Sequence, residues 1–332
     1  MPFQALVSRQ DDAGTIASTV ETLDEAALPE RSVLVGVEWA GFNYKDALCL
    51  TGRGNLVRRF PHVAGIDCAG RVIESADARY HPGQAVVLTG WRVGEMHWGG
   101  FSQRVRADPD WLVPLPKGFS TRTAMMLGTA GLAAMLSINR LQAEGIRPGD
   151  GEVLVTGAGG GVGTLAVMLL SRLGYEVAAV SGRSEMAAPL IRLGASRVLG
   201  RDTLKDSGKV LDKEQWSGAV DTVGGPMLGE LLKQIRYDGV VASVGNAGGV
   251  EFAGNVIPFL LRGISLCGID TVMQPFAERQ SAWGRLTNLF REAAYEPFIS
   301  EARLEDVPAL AEKILAGQVA GRVIVNPRNR EE

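Results

Sequence analysis

Five glycines fall within the seven residues Gly157-Ala158-Gly159-Gly160-Gly161-Val162-Gly163. The run follows the apolar segment Glu152 to Thr156 and opens a helix-like stretch, Thr164 to Leu173. Glycine permits positive φ and lets backbone approach a ligand with no Cβ in the way. A helix N-terminus adds free N–H groups and a partial positive charge. In strand–turn–helix order these make a site for the pyrophosphate of a dinucleotide, with Gly160, Gly161, Val162 and Gly163 at the helix start. The end of the following strand separates two cofactors. An NAD site places Asp or Glu about 20 residues past the glycines to hold the ribose hydroxyls. Here the chain reads Ser181-Gly182-Arg183-Ser184. No carboxylate repels a 2′-phosphate, and Arg183 binds one by charge-assisted hydrogen bonds. The expected cofactor is NADPH.

Metal chemistry finds no matching ligand pattern. Cys49, Cys68 and Cys267 are far apart, and no C-x-x-C pair exists. His62, His81 and His97 form no ligand set with a nearby cysteine, so no metal site is expected. An odd number of scattered cysteines is no disulfide framework and suits a reducing cytoplasm. The first nine residues lack a secretory pattern. Arg172 and Arg192 interrupt the best apolar stretches, so no membrane span is expected. A formal net charge of −3 gives no broad pull toward nucleic acid.

The elements that must position these groups fall into two kinds. With 332 residues the chain should form two domains. Residues 1–122 read as short β segments, among them Arg31 to Trp39, Cys68 to Glu74, Gln84 to Thr89 and Phe101 to Val105, separated by turns such as His81-Pro82-Gly83. Thr121 to Leu141 reads as a helix. From Glu152 onward short apolar strands alternate with helices, ending with the strand Ile264 to Ile269. That alternation implies a doubly wound parallel sheet covered on both faces. Phe276 to Arg291 is helix-like, and Leu304 to Val325 reads as a helix and then a strand that returns to the β domain. The expected division is 1–122 with about 297–332 as one domain, and 123–296 as the nucleotide-binding one.

This order is similar to that of the medium-chain dehydrogenases/reductases. Zinc-dependent members carry a Gly-His-Glu signature and an early cysteine ligand. The corresponding stretches here are Gly65-Ile66-Asp67 and Asn43-Tyr44-Lys45-Asp46, without either ligand. With no Lewis acid to ionise an alcohol, carbinol oxidation is not the expected chemistry. Asn43 to Leu48, Pro61 to Asp67, Thr89-Gly90-Trp91, His97 to Gly100, Leu127 to Gly131, Val180 to Arg183, Gly194 to Leu199, Asp221 to Gly224 and Gly321-Arg322 together resemble the acryloyl-CoA reductase branch of the quinone-oxidoreductase-like families. The stretch Asp67-Cys68-Ala69 departs from it, since relatives often carry an aromatic after the Asp.

The resemblance implies a GroES-like β domain, a Rossmann domain and NADPH-linked reduction of acryloyl-CoA to propanoyl-CoA. It implies that the cofactor meets Tyr44, the 160–163 turn, Ser181, Gly182, Arg183 and Arg201, with Asn246, Leu260 and Thr271 along the nicotinamide side and Arg322 near cofactor or thioester. The reaction is conjugate hydride addition, so negative charge develops on the thioester oxygen. Asn43 and the Tyr44 hydroxyl are candidate donors to it, and Tyr44 is the candidate acid for the α carbon. Asp46 and Asp67 read as a structural helix residue and a loop tie. Arg53, Arg58 and Arg59 offer a basic loop for the CoA phosphates, and Trp91 and Trp98 offer walls for the acyl pocket. A homodimer is the family expectation. Alternatives are a quinone or enone/enal reductase of the same fold, and a non-catalytic NADPH-binding redox sensor.

Overall fold

The computed structural model describes residues 1–328. The chain divides into two compact units, Met1–Thr129 with Thr271–Thr287 and Glu296–Glu332, and Ala130–Asp270 with Asn288–Tyr295. The segment 271–287, expected in the nucleotide-binding domain, clusters with the first unit because Arg279 is buried there against Thr89.

The first unit is mostly β. Its larger sheet is built around the strand Val33–Phe42, which pairs antiparallel with Asp67–Ser75, Arg104–Ala107 and the late strand Arg322–Asn326. The return of the tail to the β unit is thus observed. A further strand, Ile299–Arg303, runs parallel to the tail strand. The strand expected over Phe101 to Val105 starts at Arg104, because Phe101 is taken up by bonding with Leu6 and Ala64. Phe3–Gln10 and Ile16–Leu23 form a hairpin on a smaller sheet. The core holds Phe42 and Phe101, ring centroids 6.0 Å apart, among Val33, Val35, Leu88 and Leu112.

The second unit holds six parallel strands. In chain order they are Val153–Val155, Val177–Val180, Arg197–Leu199, Trp216–Asp221, Ile235–Ser243 and Ser265–Gly268. Numbered so, they lie in the order 3-2-1-4-5-6, the dinucleotide-binding arrangement. Val153 to Val155 are all buried, as in a sheet covered on both faces. The helix Gly161–Arg172 buries an unbroken run from Gly163 to Leu170.

Thr121–Ala143 is helical but broken at Gly128, whose φ of 49° and ψ of −147° lie outside the helical region. In a regular helix the Thr129 N–H would bond the Met125 carbonyl. Here Thr129 N–H donates to Asp67 Oδ2 at 2.6 Å, and the Met125 carbonyl accepts from Arg322 Nη2 at 3.1 Å. Asp67 and Arg322, buried neighbours, have inserted themselves into the helix ladder. By length and composition this helix could cross a membrane, which corrects the expectation that no stretch qualifies; 83% of its apolar window is buried within the protein. Its apolarity is that of a core helix.

Candidate active site

In the second unit, Val155 leads through Thr156 into Gly157, whose φ is +58°. The helix begins at Gly161, with Gly160 as an N-cap that offers no side-chain bond. The amides of Gly161, Val162 and Gly163 therefore lack an intrahelical acceptor. Two glycines serve different ends. A Cβ on Gly163 would run into the Gly157 carbonyl, so that position sets how the helix seats on the turn. A Cβ on Gly160 would meet only Gly157 O, at 3.4 Å, which leaves the outer approach open.

Beneath the turn lies Asp221, fully buried. Thr156 Oγ1 donates to its Oδ1 at 2.7 Å and Ser243 Oγ to its Oδ2 at 3.1 Å; the N–H of Gly224 closes on the same carboxylate. Asp221 thereby ties together strand ends where the strand order reverses, the crevice where such sheets bind ligands. The sequence offered Asp221 only as part of a family motif, with no signal of this role.

Beside the turn, Ser181 Oγ accepts from the Arg183 N–H at 3.2 Å, and Arg183 Nη1 lies 3.5 Å from Gly159 O. A Cβ on Gly182 would collide with the Arg201 guanidinium. Two arginines therefore flank Ser181-Gly182, and Arg201 is exposed. These features fit NADPH: helix amides for a pyrophosphate and guanidinium groups for a further phosphate. Asn246 is exposed just past the strand Ile235–Ser243. Leu260 is 73% exposed, on the helix Ile257–Arg262 that precedes the edge strand.

In the first unit the helix Tyr44–Thr51 carries the other candidates. Asn43 is its N-cap residue, and Asp46 Oδ2 accepts both the Asn43 N–H at 2.9 Å and its Nδ2 at 3.2 Å. Asp46 Oδ1 accepts the N–H groups of Gly65 at 3.2 Å and Ile66 at 2.8 Å. Burial, and then the nearby Asp67, push the Asp46 carboxyl up to about 7. Arg322, 3% exposed, donates from Nη1 to Asn43 Oδ1 at 2.8 Å, with Nη2 3.8 Å from Asp67 Oδ2. The structure thus places Arg322 under Asn43 rather than on an open surface. Tyr44 is half-buried and its hydroxyl has no hydrogen-bond partner among the described residues.

Around this helix the other predicted residues separate. Arg53 pairs with Glu312 at 2.9 Å, while Arg58 and Arg59 are exposed with no ion pair among the described residues. Trp91 has φ +56°, and its indole Nε1 is buried without an acceptor among the described residues. The Arg279 guanidinium stacks on that ring, 4.9 Å from the centroid. Trp98 Nε1 donates to Pro61 O at 3.3 Å. Arg279 was missed in the sequence, where it sits in an unmarked helical run; it donates to Thr89 O, Val272 O and Thr271 O at 2.8, 2.7 and 3.0 Å. It thus fixes the backbone at Thr271, itself half-buried.

Comparison with known proteins agrees with both units. Residues 29–117 match the model of the alcohol dehydrogenase GroES-like domain, and residues 161–288 that of the zinc-binding dehydrogenases. The acrylyl-CoA reductase AcuI of Ruegeria pomeroyi is 51% identical over 98% of this chain and 99% of its own. The chain belongs to the acrylyl-CoA reductase family of medium-chain dehydrogenases/reductases. The yhdH oxidoreductase of Salmonella enterica, solved in complex with NADP, superposes with a TM-score of 0.95 at 50% identity, covering 98% of this chain and all of that one. The putative quinone oxidoreductase YhfP of Bacillus subtilis is 43% identical over 97% of this chain and 98% of its own.

One of the matched models is named for zinc-binding dehydrogenases. Among the described residues no group of three or more His, Cys, Asp or Glu could hold a metal. His62 is buried with Nε2 2.9 Å from the Gly94 carbonyl, and burial holds its imidazole below the ordinary range. Burial, and then the Asp67 carboxylate, push the Cys68 thiol up.

Proposed function

We propose that the protein reduces the C=C bond of acryloyl-CoA, or a similarly small 2-enoyl-CoA, to the saturated thioester with NADPH and without a catalytic zinc. The full-length 51% identity to a relative named for that substrate carries the reading. The arginines flanking Gly182, where an NAD site would set an acid, support NADPH. Bound NADPH supplies the hydride that adds to the β carbon. The chain supplies the rest. Asn43 Nδ2 and the Tyr44 hydroxyl receive the charge that develops on the thioester oxygen, where one good donor is worth roughly 3–4 kcal/mol. Tyr44, or a water it orients, hands a proton to the α carbon. Arg58 and Arg59 meet the CoA phosphates, and Trp91 and Trp98 wall the acyl group.

The enzyme works in the cytoplasm as a homodimer in this reading. The edge strand Ser265–Gly268 has one open side, and Val256, Leu260 and Leu261 near it are exposed apolar side chains. Such an edge is readily closed by a second copy. Leu260 is then a contact residue of that face as well as the cofactor neighbour the family resemblance implies.

A second reading, quinone or enone reduction on the same NADPH site, is favoured by the likeness to YhfP. NADPH oxidation with acryloyl-CoA, crotonyl-CoA, a simple quinone and an enal, beside NADH controls, separates the two. Preference for acryloyl-CoA upholds the first reading; quinone turnover without thioester turnover replaces it with the second. Tight NADPH binding with no turnover of any acceptor would leave the redox sensor.

A further inference from the structure

An asparagine carboxamide presents a donor at one end and an acceptor at the other, and the two ends have the same shape. At Asn43 the surroundings remove that ambiguity. Arg322 can only donate, so the atom 2.8 Å from its Nη1 must be the carbonyl oxygen. The opposite end faces Asp46 Oδ2 at 3.2 Å, an acceptor that also takes the Asn43 N–H. The amide nitrogen must therefore be on that side, and it spends one hydrogen there. Its second hydrogen has no partner among the described residues, and the side chain is only half-buried.

The two groups that set this orientation are themselves held. Asp46 is fixed by the N–H groups of Gly65 and Ile66. Arg322 is fixed by Met125 O, exposed by the helix break, and by the neighbouring Asp67. Neither residue has a surface of its own, being 0% and 3% exposed.

We infer that Asp46 and Arg322 are positioning residues that lock the Asn43 carboxamide so that it serves the reaction only as a hydrogen-bond donor. Arg322 acts through Asn43 and not on cofactor or substrate directly. The inference rests on the reading of Asn43 as a donor to the thioester oxygen. Loss of such a donor costs about 100- to 1,000-fold in kcat. A carboxamide freed to rotate should lose part of that, about 10- to 100-fold, with the substrate KM within about threefold of wild type.

A double-mutant cycle tests it. Asn43→Ala, Arg322→Met and the pair are compared in kcat and KM with acryloyl-CoA, alongside melting temperature and the Kd of propanoyl-CoA. If Arg322 acts through Asn43, adding Arg322→Met to Asn43→Ala lowers kcat no further. Additive losses in kcat overturn the inference, since they give Arg322 a role of its own. Should Arg322→Met not fold, Arg322→Lys keeps the charge beside Asp67 while losing the fork, and enters the same cycle; a folded Arg322→Lys with wild-type kcat also overturns it. Asp46→Asn, which sets a second donor against the Asn43 amide, is expected to lower kcat as Arg322→Lys does. Absence of thioester reduction in the wild type would sink the substrate reading alone, and the cycle is then run on the enal or quinone that is turned over.

Discussion

The Tyr295 hydroxyl lies 2.7 Å from Thr164 Oγ1, and that same oxygen lies 2.9 Å from the carbonyl of Gly160. A threonine hydroxyl has one proton to give. With that proton on the Gly160 carbonyl, Tyr295 is the donor to Thr164, and the chain of bonds pins the first turn of the helix whose amides we propose for the pyrophosphate. Tyr295→Phe removes one buried hydrogen bond, worth about 1 kcal/mol. The expected outcome is a several-fold rise in the Kd for NADPH, measured by fluorescence titration, with a small fall in melting temperature. A melting loss with unchanged affinity would show that Tyr295 supports the helix but not the site.

If Arg183 makes a charge-assisted contact to the 2′-phosphate, Arg183→Ala should weaken NADPH by about 10- to 100-fold. NADH, which has no such phosphate, should change by less than about threefold. Gly182→Ala displaces the Arg201 guanidinium and should act in the same direction, because the added methyl needs the space that Arg201 fills. Equal losses for both cofactors would mean that the arginines shape the loop only.

If the basic loop reads CoA, Arg58→Ala/Arg59→Ala raises the KM for acryloyl-CoA by about 3- to 10-fold and leaves kcat alone, as for loss of uniform binding. A small enal without the CoA handle should be unaffected. Arg53→Ala should do less, because Arg53 is already paired with Glu312. An equal KM rise for both substrates would reduce the loop to plain surface.

Asp46 gives a pH signature in stability. Its carboxyl is raised to about 7, chiefly by burial and then by Asp67, against about 3.9 in an unfolded chain. The folded state thus holds this proton more tightly. The stability it contributes is fully present below the unfolded value and is lost as pH rises toward about 7, by up to about 4 kcal/mol. Urea melts across that range should show wild type losing stability with rising pH more steeply than Asp46→Asn. Parallel curves would mean that Asp46 stays ionised throughout.

What was legible in the sequence is what depends on neighbours in the chain. The glycine turn, the alternating strands and helices, and the Ser181-Gly182-Arg183 stretch are local patterns, and each appears in place. The break at Gly128 was not legible: Thr121 to Leu141 reads as one helix because its composition is helical throughout. What breaks it is a pair of side chains, Asp67 and Arg322, brought from strands far apart in the chain. Asp221 and Arg279 were hidden for the same reason. Their roles consist of contacts across the fold, and nothing in their immediate sequence sets them apart from a solvated acid or a surface cation.

Gly41 and Gly128 both border the Asp67–Arg322 pair, and a Cβ on either would lie 2.6 Å from Arg322 Nη2. That contact gives the family's history a direction. A side chain at either glycine would require both Asp67 and Arg322 to shift, so two positions distant in the chain are constrained by one buried pair. A lineage that shed Arg322 would release Gly41 soon afterwards, once Asp67 too had yielded. Gly128 would stay, because its positive φ excludes side chains on separate grounds. Among diverged relatives, replacement of the first glycine should therefore go with a displaced or lost Asp67–Arg322 pair, whereas the second should outlast it.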